Sequence, residues 1–348
     1  MPPPRPPHGR AVDATAPAMD VGAQAATMTR TGAGLAGPAV EGRPTMAAGQ
    51  GPDQARRWEQ RMQVGSRTFD FRREVAVMAI VNRTPDSFYD RGRTFALSAA
   101  VEHALAQVDE GADLVDVGGV KAAPGEDVPL AEELDRIVPF VEAFRQHSDC
   151  PVSVDTFRAA VAAAALDAGA DVVNDVSGMV EPEVADVVAA RPGSALVVMH
   201  PGGPPRTRPF RPAYDPDCTT DVVRTCAALA AEAQRRGVPA ERIIVDPGHD
   251  FGKTTFQSLE VTRRLGELAA LGYPVLVALS RKDFLGEALG GLGAEERLEA
   301  SLACAALSVQ AGARLVRVHD TAATVRAMRA TEAILGLRQP TVALRGLD

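Results

Sequence analysis

No stretch of this 348-residue chain is long and apolar enough to span a bilayer, and no apolar leader core follows its start. Those absences give the expectation of a cytoplasmic protein with no membrane partner. The four cysteines, Cys150, Cys218, Cys226 and Cys304, are scattered without CxxC spacing, which argues against a zinc framework and fits reduced thiols. A basic excess is missing too: 37 Lys and Arg against 45 Asp and Glu give a net charge of −8, which argues against generic binding to nucleic-acid phosphates. No GxGxxG follows the first apolar run, which weakens a dinucleotide-binding reading. What is present is apolar material. Hydrophobic residues make up 46% and charged residues 24%, enough for a sizeable core in a soluble chain of one large or two ordinary domains.

Residues 1–65 differ from the rest. Pro, Ala, Gly and Thr recur there without a period, so the segment cannot bury enough apolar surface to offset chain entropy and is expected to be a disordered tail. From about Glu74, short apolar runs alternate with helical-period stretches. VAVMAIV, DLVDVG, PVSVD, DVVND, ALVVMH, RIIVD, PVLVALS and RLVRVH are the expected strands. Their double-sided apolar character fits a parallel sheet covered by helices. DEGADLVDVGG, DAGADVVNDVSG and QAGARLVRVHD repeat one joint, a glycine closing a helix just before a strand. About eight such units over roughly 265 residues predict a (β/α)8 TIM barrel across 66–338, with a short tail at 339–348; a doubly wound open sheet is the alternative.

Polar residues gather at the C-terminal strand ends, the face where such barrels carry their active sites. Asn82, Asp155, Asn174, Asp175, His200, Asp246, Ser280, Arg281, Lys282, Arg317 and His319 all fall there. Singly, each has an ordinary explanation: Asp155 as a helix cap, Asn174 as a turn residue, His200 as a satisfied buried histidine, Lys282 as a solvated charge. Jointly, two carboxylates, an amide, a lysine and cation-capable groups on one rim point to a ligand site. Asp155, Asn174, Asp246 and Lys282 suit a flat heterocycle with donors and acceptors. Arg317 and His319 suit an anion, and Asn82 offers a hard oxygen to Mg²⁺. A heterocycle bearing a diphosphate satisfies both halves.

NRTPDSF at 82–88, SVDT at 153–156, NDVSG at 174–178, DPGHDFGK at 246–253, SRKDFLG at 280–286 and RVHD at 317–320 resemble the dihydropteroate synthase family of pterin-binding proteins. The resemblance implies a TIM barrel, homodimerisation, and condensation of dihydropterin-methyl diphosphate with the aromatic amine p-aminobenzoate, releasing pyrophosphate. By position it implies that Asp155, Asn174, Asp246 and Lys282 bind the pterin. It further implies that Asn82 binds Mg²⁺, that Arg317 and His319 hold diphosphate, that Phe251 lines the p-aminobenzoate side, and that Asp86 helps close the site. Asp86, Lys282 and Arg317 are the catalytic candidates among these.

Departures cluster on the acceptor side. Where the family has a loop close to GGESTRPG, this chain has GGVKAAPG, with Val120, Lys121, Ala122 and Ala123 in place of Glu, Ser, Thr and Arg. Lys121 is the candidate replacement for the lost charge, although an ammonium does not copy a bidentate guanidinium. Arg83 and His249-Asp250 replace smaller or more apolar residues, and PGGPPRTRPF at 201–210 adds Arg206 and Arg208. This set resembles the divergent actinobacterial paralogue of the family, which implies retained pterin binding with synthase activity weakened, lost or directed to another acceptor.

Overall fold

The computed structural model of the chain describes residues 61–82, 93–120, 127–204 and 214–345. It begins with an antiparallel hairpin, β1 (Arg61–Val64) and β2 (Arg67–Asp70). Eight parallel strands follow: β3 (Ala76–Asn82), β4 (Leu114–Gly118), β5 (Val152–Asp155), β6 (Val172–Asp175), β7 (Ala195–Met199), β8 (Ile243–Asp246), β9 (Val275–Val277) and β10 (Ala313–Val318). Each pairs with the next, and β10 pairs with β3, so the sheet closes. Closure excludes the open doubly wound alternative, and all eight apolar runs singled out above are barrel strands. Helices α1 (Arg93–Asp109), α2 (Leu130–Arg145), α3 (Ala159–Asp167), α4 (Glu183–Ala189) and α5 (Cys218–Arg235) lie in the first part of the described chain. α6 (Thr255–Arg263), α7 (Leu265–Ala269), α8 (Asp283–Ala288), α9 (Leu298–Gln310) and α10 (Thr321–Ile334) complete the shell.

Strand side chains alternate between two separate cores, as a period of two requires. Val77, Ala79, Val115, Val154, Val173, Val198, Val245 and Val316 face the helices. Met78, Leu114, Val172, Val197, Ile244, Leu276 and Leu315 fill the lumen. The lumen set sits early in its strands, so this apolar plug occupies the N-terminal half of the barrel. Met62, Val64, Phe69 and Phe71 of the hairpin join the same cluster and stopper that mouth. Polar ties hold the stopper: Arg314 Nε donates to the Phe71 carbonyl at 2.8 Å, and Arg67 Nη2 pairs with Asp113 at 2.6 Å.

The repeated joint has a physical basis. Gly111, Gly169 and Gly312 all adopt the left-handed backbone that lets a helix end and a strand start at once. In the two GAD copies the aspartate then accepts from an amide at the start of the neighbouring strand, Val77 N to Asp113 at 2.8 Å and Val152 N to Asp171 at 2.9 Å.

Residues 1–60 of the expected tail lie outside the described residues. Residues 61–65, which the sequence reading counted with that tail, are instead β1 and its turn. RMQV alternates exposed and buried over four residues, too short a pattern to read against its polar surroundings. Beyond α10, residues 339–345 carry no regular structure and are exposed. Among the described residues no helix is long and apolar enough to cross a membrane.

Phe69 is 1% exposed and stacks on Phe71 with ring centroids 5.6 Å apart. Phe69→Ala is expected to cost about 3–5 kcal/mol of unfolding free energy, read as a lower denaturant midpoint. A loss below about 1 kcal/mol would mean that the hairpin does not seal the barrel.

Candidate functional site

Above the apolar plug, the same inward parity carries polar residues instead. On β4 the position after Leu114 is Asp116; on β6 Asn174 follows Val172; on β8 Asp246 follows Ile244; on β10 Arg317 follows Leu315. Strand register sets Asp116 beside Ser153 and Asp155 beside Asn174. The lumen thus changes from apolar to ionic within one layer.

Arg317 organises that layer. Its Nε donates to Asp116 at 2.6 Å and its Nη2 reaches Asp155 at 3.3 Å. Burial opposes the guanidinium charge, yet the two carboxylates outweigh burial and raise its pKa. Burial likewise pushes the Asp155 carboxyl up, against the pull of Arg317 and with the repulsion of Asp116. Asp116 is fully buried and accepts from Ser153 Oγ at 2.5 Å and from Asn174 Nδ2 at 3.4 Å. The amide nitrogen of Asn174 being so engaged, its Oδ1 is buried with no hydrogen-bond partner. An orphaned buried acceptor beside ionised groups marks where a ligand donor belongs.

Asp246 completes the polar set. Burial raises its pKa, while the Gly248 amide, at 2.7 Å from Oδ1, and the charges of Lys282, Lys253 and Arg317 oppose that rise. Lys282 starts α8; its Nζ donates to the His249 carbonyl at 3.2 Å and lies 4.8 Å from the centre of the Phe251 ring. His319 Nδ1 lies 3.2 Å from Ser280 Oγ. Its pKa is lowered to about 4, by burial first and then by the charges of Arg317 and Arg281. Its side chain is nonetheless exposed at the cavity mouth, where it can hydrogen-bond an incoming ligand. A cavity of about 420 Å³ opens here, lined among others by Ile80, Lys282, Arg317 and His319.

Loops after β7 and β8 shape the rim. Gly202 and Gly252 pass backbone to backbone so closely that a Cβ on either would lie within 2.5 Å of the other loop's carbonyl oxygen. Lys253, fully buried, locks the crossing by donating to the Gly248 carbonyl at 2.7 Å, the Phe251 carbonyl at 3.0 Å and His200 Nδ1 at 2.8 Å. Burial lowers its pKa to about 8, so it remains largely charged at neutral pH. His200 passes its other nitrogen to Asp221 at 3.1 Å, on α5. It serves the loop clamp and does not join the polar layer, although its strand-end position had placed it on the rim.

Asp155, Asn174, Asp246, Lys282, Phe251, Arg317 and His319 therefore come together at one end of the barrel. Asn82 ends β3 at the same end, in register with Gly118. Asp86, Lys121, Arg83, Arg206 and Arg208 lie outside the described residues. Sequence reading missed Asp116 and Ser153 because both sit inside strands rather than at their ends; the alternation Leu114, Asp116 was the available signal. Among the described residues no three His, Cys, Asp or Glu side chains cluster as a metal site.

Comparison with known proteins agrees with this architecture. The pterin binding enzyme family matches residues 78–319. The chain is 50% identical over 276 residues to the inactive dihydropteroate synthase 2 of Mycobacterium leprae, covering 78% of this chain and 94% of that one. It is 39% identical over 264 residues to the dihydropteroate synthase of Escherichia coli K12, covering 76% and 93%. The solved dihydropteroate synthase of Xanthomonas albilineans with 4-aminobenzoic acid superposes with a TM-score of 0.73 at 39% identity, over 79% of this chain and 98% of that one. Likeness at this level, running through the strands that build the polar layer, means that the chain belongs to the pterin binding enzyme family, as a dihydropteroate synthase-like protein.

Proposed function

We propose that the polar layer binds a dihydropterin-methyl diphosphate and that the barrel condenses it with an aromatic amine far more slowly than an intact synthase does. The orphaned Asn174 Oδ1, set among Asp116, Asp155 and Arg317, carries this reading. A pterin's pyrimidine edge offers N–H donors to Asp246 and Asn174 and carbonyl and ring-nitrogen acceptors to Lys282. Arg317 holds Asp116 and Asp155 in place beneath the ring and presents its remaining donors to the phosphorylated arm. His319 adds a hydrogen-bonding imidazole. The protein would work in the cytoplasm, as a homodimer; exposed Leu307 on α9 and Ile334 on α10 support an apolar self-contact.

In the reaction the amine lone pair forms a bond to the pterin methylene carbon. The carbon–oxygen bond breaks, its electron pair leaves with pyrophosphate, and the amine proton passes to water. Stabilising the departing charge dominates such a step, while the neutral amine needs placement more than activation. Asn82 would hold Mg²⁺; a single amide oxygen fits an ion that keeps several waters and takes its other ligands from substrate phosphates. When bound, that ion would offset the negative charge of the leaving group. Asp86 would help close the first loop over the site. In GGVKAAPG the Thr and Arg of the family loop are replaced by Ala122 and Ala123. Loss of such contacts to developing charge costs roughly 2–4 kcal/mol, about two to three decades in rate, with Lys121 restoring part of the charge.

A second reading, pterin binding without condensation, is favoured by the name carried by the Mycobacterium leprae relative. Pyrophosphate release from the pterin diphosphate, p-aminobenzoate and Mg²⁺ separates the two. The first reading expects turnover about 100- to 1,000-fold below an active synthase; background release with intact pterin binding selects the second.

Asp246→Asn keeps an oxygen for the Gly248 amide but removes the charge that meets the pterin. Pterin affinity by calorimetry is expected to fall about 30- to 100-fold with the circular dichroism spectrum unchanged; an unchanged affinity would remove Asp246 from the site. A pH series gives an independent check. Burial raises both Asp155 and Asp246, so they take up protons above the usual carboxylate range and stop accepting from the ligand. Pterin affinity should therefore weaken as pH falls through about 7, where Asp155 takes up its proton, whereas carboxylates of ordinary pKa would leave it flat until about pH 4.5.

A further inference from the structure

The cavity lined by Lys282, whose Nζ lies over the Phe251 ring, carries two carboxylates on its wall, Asp250 and Asp283. Asp250 holds a left-handed backbone with φ 65°, a conformation costly for a residue with a Cβ. Its Oδ2 accepts from the backbone N–H of Asp283 at 2.9 Å, next to Lys282. The chain's own carboxylate thus takes a donor that borders the cavity.

The two guanidinium groups nearby are matched as well. Arg281 gives Nε and Nη2 to the two Asp320 oxygens at 3.0 and 2.7 Å, and Nη1 to Glu295 at 2.7 Å. Arg297 pairs with Asp283 at 2.8 Å and also donates to the Arg281 carbonyl at 2.8 Å. A substrate carboxylate arriving against Phe251 would meet the Asp250 carboxylate beside an ion-paired Asp283, and guanidinium donors already in use, with Lys282 turned to the His249 carbonyl and the proposed pterin edge. An acceptor bearing an uncharged or positive group there would not.

We infer that Asp250 and Asp283 set the specificity of the second-substrate pocket against carboxylates, so that the acceptor is a neutral or cationic amine rather than an aminobenzoate. This rests on the proposed placement of the second substrate beside Phe251. It accounts for an aspartate at a backbone position that glycine would occupy without strain. It also adds a second reason, beside the altered GGVKAAPG loop, for weak turnover with p-aminobenzoate.

Binding of p-aminobenzoate and of p-aminobenzamide, its neutral isostere, to the full chain in the presence of pyrophosphate and Mg²⁺ tests the inference. Wild type should prefer the benzamide. Asp250→Gly, which suits the left-handed backbone, and Asp250→Asn, which keeps the shape without the charge, should each raise p-aminobenzoate affinity about tenfold. Affinity for the benzamide should stay within about twofold across the three proteins. An unchanged benzoate-to-benzamide ratio would overturn the inference, as would failure of every protein to bind either aniline. Pterin affinity measured on the same proteins keeps the two readings apart. Its absence in wild type would overturn the pterin site, and the aniline ratio would still decide the role of Asp250.

Discussion

Everything at the functional end of this barrel depends on one buried guanidinium. Arg317 bridges Asp116 and Asp155, carboxylates that sit 201 and 162 residues earlier in the chain. Removing either partner would leave uncompensated charge in a largely buried layer, an unfavourable arrangement. With the triad intact, Asn174 is oriented through Asp116, its nitrogen engaged and its oxygen presented. The floor of the polar layer is thus a consequence of charge balance inside the barrel.

The two ends of the lumen divide the work. Apolar side chains and the β1–β2 hairpin close the N-terminal mouth and supply burial energy, while Asp116, Asp155, Asn174, Asp246 and Arg317 sit beyond them in the strands. The rim is held separately, by Lys253 and His200 between the loops after β7 and β8 and by the close passage of Gly202 and Gly252. A substrate-binding end can carry orphaned and like-charged groups because stability is secured elsewhere.

All eight strands were legible because each is apolar on both faces, a pattern that a barrel wall between lumen and helices imposes. The strand-end rule found Asp155, Asn174, Asp246, Lys282, Arg317 and His319 for the same reason. It failed where parity, not position, decides. Asp116 lies within DLVDVG and reads as strand interior, yet its alternation with Leu114 turns it into the lumen. His200 ends its strand but turns outward to Asp221. His249 stacks on Phe284 at 5.8 Å and meets Thr262 at 3.0 Å, so it packs the loop rather than meeting a substrate. No local pattern in the sequence shows that the Asp250 carboxylate reaches the Asp283 amide 33 residues away.

The most direct measurement is a crystal structure of the full chain soaked with 7,8-dihydropterin. The ring should lie in the lumen with a donor on Asn174 Oδ1, Asp246 and Lys282 on its pyrimidine edge, and Arg317 still bound to Asp116. Density for the ring outside the barrel mouth, or an Asn174 oxygen that still meets no donor, would contradict the account.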